Sequence, residues 1–507
     1  MNNLPTLIPT LQRHAATRPA HPALLEANTT TTYADLAARA AAVAQALCDA
    51  GIRADDRIAY LAKDTAAVFE LLYGCATIGA VLVPINWRLA PGEITDILQH
   101  SRARLVVTDD PARIGSSCDL VVPVTDFESW RTPTEPAAVV AVTATPDTPV
   151  VQMYTSGTTG TPKGVVLAHR TFFAVRNMLD TAGLDWIDWH PTEVNLLALP
   201  TFHIGGLWWA LQGLCAGVTN VVIPAFTATA AITAIRENNV TTSCFVPSML
   251  LMLLSEPGKA AADFASLRKI VYGGSPIGPD LLTRAVDTFG CEFAQIYGLT
   301  ETGNTAICLP PADHVPGQQR LHAAGTPYPG VDIEIRRVDG TRATTGESGE
   351  VFLRSPAQMV EYFADPEATA ATLTDGWIRT GDAGYLDTDG YLVLRDRVKD
   401  LIIVAGENVY PAEVEKAITA HPAVYDCAVI GTPDDTWGER VHAFVVTHPD
   451  TELRTRDLVR FLTGRLAAFK IPSRYEFLDT IPRNPSGKIL RRTLRERFWA
   501  DRDRRVN

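Results

Sequence analysis

"YTSGTTGTPKG", residues 154 to 164, is built from glycine and hydroxyl residues and carries one lysine, Lys163, near its end. The apolar run "PVVQMY" (149 to 154) leads into it and "GVVLAHRTFF" (164 to 173) leads out. A Ser/Thr/Gly stretch in a linker is flexible. This one is pinned between two apolar elements, as a cradle for an anion has to be. Glycines let backbone N–H groups converge, hydroxyls add donors and Lys163 adds positive charge, so phosphate is the natural guest. The spacing is not that of the usual nucleotide P-loop, because Pro162 precedes the lysine and Gly164 follows it. With no hydroxyl directly after the lysine, a magnesium ligand has to come from elsewhere. GxGxxG is also absent from the loop, which argues against dinucleotide binding.

Outward from the loop, strands and helices alternate. "TYADLAARAAAVAQALCDAGI", from Thr32, reads as a helix with a hydroxyl start, Asp35 three residues on and Gly51 as its stop. "RIAYLA" and "AVLVPI" read as strands around the helix "AAVFELLYGCATIG". On the other side, "VNLLALP" and "NVVIPA" read as strands and "ATAAITAIRENN" as a helix. Such alternation predicts parallel α/β sheets. Beyond residue 330, "GVDIEIRRVDG", "GEVFLRS" and "GYLDTDGYLVLRDR" predict hairpins, and Asp382 is expected at a turn. The α/β texture returns in "PAEVEKAITAH", "YDCAVIGT", "RVHAFVVT", "TRDLVRFLTGRLAAF" and "YEFL". The expected fold class is therefore α/β: a large multi-lobed N-terminal domain (1–398) with a β-rich subdomain, and a small α+β domain (399–507).

The chain has 507 residues, enough for three or four structural units, and its 46% hydrophobic and 20% charged content is ordinary for a globular protein. A formal net charge of −12 argues against general nucleic-acid binding. The eight cysteines form no CxxC pair or metal-ligand spacing, which predicts a reduced, intracellular setting. No apolar run approaches the length of a membrane helix and the first residues lack a signal-peptide layout, so a cytoplasmic protein is expected. The arginine-rich "KILRRTLRERFWADRDRRVN" reads as a solvated helix and fraying tail, with an anionic partner as the alternative.

Three further stretches gain meaning once phosphate is assumed. "YGLTETG" (297 to 303) offers an aromatic face, a hydroxyl and a carboxylate. "RTGDAGYLDTDGYL" offers Asp382, a carboxylate able to accept two ribose hydroxyls. Its "DTDG" lacks the remaining ligands of a calcium loop and reads as a hairpin turn. "PRNPSGKIL" sets Lys488 in a loop near the end of the chain.

In chain order, "YTSGTTGTPKG", "LPTFHIGG", "YGGSPIG", "YGLTET", "RTGDAGYLDTDGYL", "DRVKDLIIVAGENVYPAEVE", "DDTWGE" and "NPSGKIL" resemble the adenylate-forming superfamily of acyl-CoA synthetases, stand-alone adenylation domains and luciferases, the acyl-CoA synthetases most closely. The resemblance spans nearly the whole chain. It implies an enzyme in which a carboxylate attacks the α-phosphate of ATP, giving an acyl-adenylate and pyrophosphate, after which a thiol, usually that of coenzyme A, displaces AMP. Position by position, it implies that Thr155, Ser156, Gly157, Thr158, Thr159, Gly160 and Lys163 hold the β and γ phosphates, and that Glu301 binds magnesium (Mg2+). Thr300 would touch the α-phosphate. Adenine would lie against Tyr297 and the backbone of Gly274, Ser275 and Pro276, with Asp382 and Arg397 on the ribose. Lys488 would stabilise charge at the attacking carboxylate, and Lys399 would be the hinge of a mobile C-terminal domain.

For the acyl pocket the resemblance points to His203 as an aromatic gate, with Gly205, Cys244, Phe245, Gly273 and Gly298. Gly406, Trp437 and Lys470 match positions near coenzyme A, although Ala405 stands where relatives often have glycine. Gly205 and Gly206 replace the tyrosine of coumarate-type ligases, and Gln295-Ile296 lacks the arginine of malonate-activating relatives. A monocarboxylic acid with an apolar body is expected, with Val246, Trp208 and Trp209 as walls or ordinary core. The alternatives are another acceptor, such as a carrier protein, or another acid, such as nitrite.

Overall fold

In the computed structural model, the described residues are 4–132, 141–155, 162–275, 277–315, 319–397, 400–404, 407–434, 438–449, 451–483 and 489–499. The capping signal at Thr32 is realised in full: its hydroxyl accepts from Asp35 N, the Asp35 carboxylate accepts from Thr32 N, and the helix runs over Tyr33–Asp49 before Gly51 turns left-handed at φ 76°. The strands expected around it form as Arg57–Leu61 and Val81–Pro84, with the helix Ala66–Ile78 between them.

The chain divides into two units, residues 1–333 with 353–379, and residues 334–352 with 380–507. The first unit contains two sheets. In one, six strands run parallel in the spatial order Glu292–Tyr297, Lys269–Gly273, Thr242–Phe245, Val194–Leu197, Thr219–Val222 and Pro22–Glu26. The helices Ala228–Asn238, Pro247–Ser255 and Pro279–Phe289 pack on it around Leu196, Phe245, Ile270, Tyr272 and Phe293. In the other, the strands are ordered Glu361–Tyr362, Lys163–Ala168, Pro149–Thr155, Val81–Pro84, Arg57–Leu61, Ala103–Thr108 and Leu120–Pro123. Near-continuous apolar strands with both faces covered are what a parallel core demands.

In the second unit, the long strands Val424–Asp434 and Gly438–Thr447 pair antiparallel, and Arg474–Phe477 adds to the latter in parallel. Two sequence expectations change here. Asp382 lies inside the strand Trp377–Leu386 rather than at a turn; the left-handed Gly381 (φ 70°) and a bulge between Ala383 and Gly384 kink that strand without ending it. The helix Thr455–Leu462 ends just before Gly464, which adopts φ 82°. The C-terminal helix Arg491–Trp499 is not simply solvated, because Leu494 is buried, Trp499 Nε1 donates to Gly431 O at 3.0 Å, and Arg491 and Arg495 are ion-paired to Glu415 and Asp400. All eight cysteines are unpaired, and among the described residues no helix is long and apolar enough to cross a membrane.

Candidate functional site

Four of the segments singled out in sequence leave the carboxyl ends of neighbouring parallel strands. "FHIGG" follows Val194–Leu197, Val246 follows Thr242–Phe245, Gly274-Ser275 follows Lys269–Gly273, and "GLTETG" follows Glu292–Tyr297. Open α/β sheets bind ligands in the crevice outside those ends. Two glycines keep the rim narrow. A Cβ at Gly273 would stand 2.4 Å from Ile296 O, and one at Gly298 would stand 2.5 Å from Asn304 O and 2.8 Å from Thr302 Oγ1. Beyond Gly298 the chain makes a tight 3₁₀ turn, Thr300–Thr302, locked by Leu299 N donating to Thr302 Oγ1 at 2.8 Å. Thr300 and Glu301 therefore project from a stiff corner.

The glycine and hydroxyl loop belongs to the second sheet of the same unit. Its flanking strands Pro149–Thr155 and Lys163–Ala168 pair antiparallel with Thr155 opposite Lys163, so the loop is closed at its neck; residues 156–161, including Ser156, Gly157, Thr158, Thr159 and Gly160, lie outside the described residues. On its other edge Lys163–Ala168 pairs with Glu361–Tyr362, Tyr362 opposite Val165. Phe363 N donates to Gly164 O at 2.7 Å and Val360 N to Val166 O at 2.8 Å.

This short edge segment joins the two candidate motifs. The Tyr362 ring lies 4.9 Å from Lys163 Nζ, and its hydroxyl donates to Glu301 Oε1 at 2.6 Å. Met359 N donates to Glu301 O at 2.8 Å. Burial, then the Glu301 charge, pushes the Tyr362 phenol well above its ordinary pKa, so it stays a protonated donor. Among the described residues, only Oε1 of the Glu301 carboxylate carries a hydrogen bond. Its other oxygen is a hard donor suited to magnesium, and no group of three or more His, Cys, Asp or Glu side chains among the described residues could cage an ion. A divalent cation here would share Glu301 with oxygens of a ligand, which fits a cation that arrives with phosphates.

Beyond the strand Val194–Leu197, His203 stands at the N-cap position of the apolar helix Ile204–Ala216, and burial, then Arg88, lowers its pKa to about 4. Its Nε2 and the Nδ2 of Asn304 are buried without hydrogen-bond partners in the structure. Buried polar atoms of this kind call for a ligand or water. Cys244 and Phe245 are buried in their strand, and Trp208 and Trp209 are buried in the helix. The turn before His203 is tied down from the other sheet, as buried Asp64 accepts from Thr201 N at 3.0 Å and from its hydroxyl at 2.5 Å.

The same burial makes acid stability predictable. His169, His203 and His314 are each lowered to about 4 by burial, while burial raises Asp64 to about 6. As pH falls from 6.5 towards 4, the unfolded imidazoles take protons that the folded ones refuse, so stability is lost. Asp64 works the other way below pH 6, because it protonates in the fold while still ionised in the unfolded chain. The net is roughly two protons, or ~3 kcal/mol per pH unit. The thermal midpoint of this unit is expected to fall by several degrees between pH 7 and pH 5, and a flat profile from calorimetry would contradict the buried, neutral histidines.

In the second unit Asp382 is buried and opposite Arg397 in register, and its N–H donates to Thr380 Oγ1 at 3.1 Å. Lys470 Nζ is held by Glu413 at 2.7 Å and 2.9 Å. Pro276, the side chain of Arg397, Lys399, Gly406, Trp437 and Lys488 lie outside the described residues. The motifs did not point to Tyr362, Asn304 or Asp64. Only the sheet-edge pairing reveals the first, and only their burial reveals the other two.

Comparison with known proteins gives one consistent answer. A family model described as "AMP-binding enzyme" matches residues 11–363, and one described as "AMP-binding enzyme C-terminal domain" matches 413–488. The fatty acid–[acyl-carrier-protein] ligase ScoC of Streptomyces coeruleorubidus is 52% identical, over 99% of this chain and 98% of its own. The feruloyl-CoA synthase of an Amycolatopsis species is 37% identical, over 96% and 98% respectively. Among solved structures, the o-succinylbenzoate coenzyme A synthetase of Bacillus subtilis with ATP and magnesium ion superposes with a TM-score of 0.84 at 32% identity, covering 96% of this chain and 98% of that one.

Proposed function

This chain belongs to the AMP-binding enzyme family, and on that premise we propose that it is an ATP-dependent, AMP-forming acid–thiol ligase. The observation that carries the reading is the chain Lys163–Tyr362–Glu301, which brings a phosphate-seeking cation and a cation-seeking carboxylate to one and the same side chain. An acid carboxylate attacks the α-phosphate of ATP, the bond to the β-phosphate breaks, and pyrophosphate leaves. A thiolate then attacks the acyl carbon and AMP departs. Thr155, the loop 156–160 and Lys163 neutralise the outer phosphates, and Thr300 touches the α-phosphate. Glu301 holds magnesium, which when bound offsets phosphate charge. Tyr297 and the backbone of Gly274 to Pro276 receive adenine. Asp382 and Arg397 take the ribose, Lys488 steadies the attacking carboxylate, and Lys399 is the hinge. Such chemistry is mostly positioning and charge stabilisation.

His203, Gly205, Cys244, Phe245, Gly273 and Gly298 border the acyl group, and their apolar or small character favours a monocarboxylic acid with an apolar body. Coenzyme A is the acceptor on the first reading, with Gly406, Trp437 and Lys470 beside it. A carrier-protein thiol is the second, favoured by the 52% identical carrier-protein ligase. Both end in the same pantetheine thiol. Pyrophosphate release should be measured with ATP and magnesium across aliphatic, aromatic and inorganic acids, with coenzyme A, with a holo carrier protein, and with neither. Acid-dependent release is expected, and the thiol that yields a thioester names the acceptor. No release with any acid would overturn the reading.

Asp382→Ala is expected to raise the KM for ATP about 10- to 100-fold, the worth of two hydrogen bonds to ribose. An unchanged ATP dependence would remove Asp382 from the nucleotide site.

A further inference from the structure

Lys163 and Glu301 carry opposite charges and both meet the side chain of Tyr362, and a direct ion pair would cancel both. Among the described residues neither makes one. Between them stands Tyr362, fixed by backbone pairing to the loop's own strand, with its hydroxyl on one group and its ring beside the other. An aromatic face can seat an ammonium without neutralising it. A phenol hydroxyl can orient a carboxylate by donating to one oxygen while leaving the second for a cation.

We propose that Tyr362 is the positioning residue of the cation seat: it holds Glu301 by a donated hydrogen bond, keeps Lys163 on its ring, and so maintains a divalent-cation site and a phosphate site next to each other. This inference rests on the nucleotide-binding reading above. It assigns a partner to the Glu301 carboxylate that no motif contains. The two halves of the side chain have separate duties. The hydroxyl serves the metal ligand, and the ring serves the phosphate-binding lysine.

The test uses the full-length protein with manganese as the probe ion. Free Mn2+ is followed by its electron paramagnetic resonance signal during titration in the presence of ATP and the absence of acid, so no turnover is involved. ATP binding in EDTA is measured separately. Tyr362→Phe keeps the ring and loses the hydroxyl; it is expected to weaken Mn2+ binding about tenfold, the usual weight of one hydrogen bond to a charged group, with metal-free ATP binding unchanged. Excess cation should then restore acid-dependent pyrophosphate exchange in this variant. Tyr362→Leu is expected to weaken both Mn2+ and metal-free ATP binding. A Phe variant whose Mn2+ titration superposes on that of the unmutated protein overturns the proposal. So does a Phe variant that loses Mn2+ and metal-free ATP binding equally, which marks a merely structural residue. Should Tyr362→Leu fail to fold, the Phe variant alone decides. If the unmutated protein binds no ATP at all, the nucleotide reading falls and this inference with it.

Discussion

Lys488→Ala is expected to lower acid-dependent pyrophosphate exchange by ~10²- to 10³-fold or more, the range seen when a preorganised charge is removed from an anionic transition state, while transfer from a supplied acyl-adenylate to the thiol survives. The separation follows from how the two ends of its loop are held. Arg483 and Ile489 form an antiparallel bridge across the base of its loop, and Arg483 is fixed to Asp426 at 2.8 Å and 2.9 Å. Past the loop, Arg491 grips Glu415 with two contacts at 2.8 Å and 2.7 Å. Arg495 holds Asp400, the residue directly after the proposed hinge, at 2.8 Å. The two ends of the loop and the chain beyond the proposed hinge are thus tied to one sheet-and-helix body, so a rotation about Lys399 would carry the loop's ends with that body. A compact point charge on a flexible stem suits a group needed in one half-reaction and removed in the other. The two half-reactions should be assayed separately on the same preparation. Equal loss in both would contradict the alternation of the small domain.

Much of this was legible in the residues. Alternating apolar strands and capped helices predict the parallel sheets because their signals are local. The capping box at Thr32 and the stop at Gly51 need only neighbours in sequence. The loop's placement follows for the same reason, since the apolar runs on either side of it form the paired strands Pro149–Thr155 and Lys163–Ala168. Tyr362 was not readable. It lies in a two-residue edge strand, and its meaning comes from register with Val165 and from a hydroxyl reaching Glu301 across the chain. Glycine and aspartate normally signal a turn, which is what the sequence predicts at Asp382, whereas here the left-handed Gly381 is absorbed as a kink within a continuing strand. The C-terminal arginines looked solvated since charge runs usually are; two of them instead meet acids supplied from positions 400 and 415.

Gly206→Ala is expected to damage the acid site more than any other single added methyl group near His203. A Cβ there would stand 2.1 Å from Pro200 O and 2.6 Å from Leu199 O, both backbone atoms with no rotamer to yield. Ordinary contact starts near ~3.4 Å, so the turn would have to move by about an ångström, and overpacking of this kind costs ~1–3 kcal/mol. That turn cannot drift freely, because Thr201 is tied to buried Asp64 and His203 N donates to Pro200 O at 3.1 Å. Strain would therefore pass to His203 and the start of the helix Ile204–Ala216. The expected result is a melting temperature lowered by a few degrees and a KM for the acid raised about tenfold or more, with the KM for ATP nearly unchanged. Gly205→Ala is the matched control, since the nearest atoms to its Cβ are the Leu199 Cδ1 at 3.5 Å and the Asn304 Oδ1 at 3.7 Å. In a helix that substitution tends to stabilise by ~0.5–1 kcal/mol, so it should leave folding intact and alter only which acids are accepted. Identical behaviour of the two variants would mean that the turn before His203 does not shape the acyl pocket, and the gate role of His203 would fall with it.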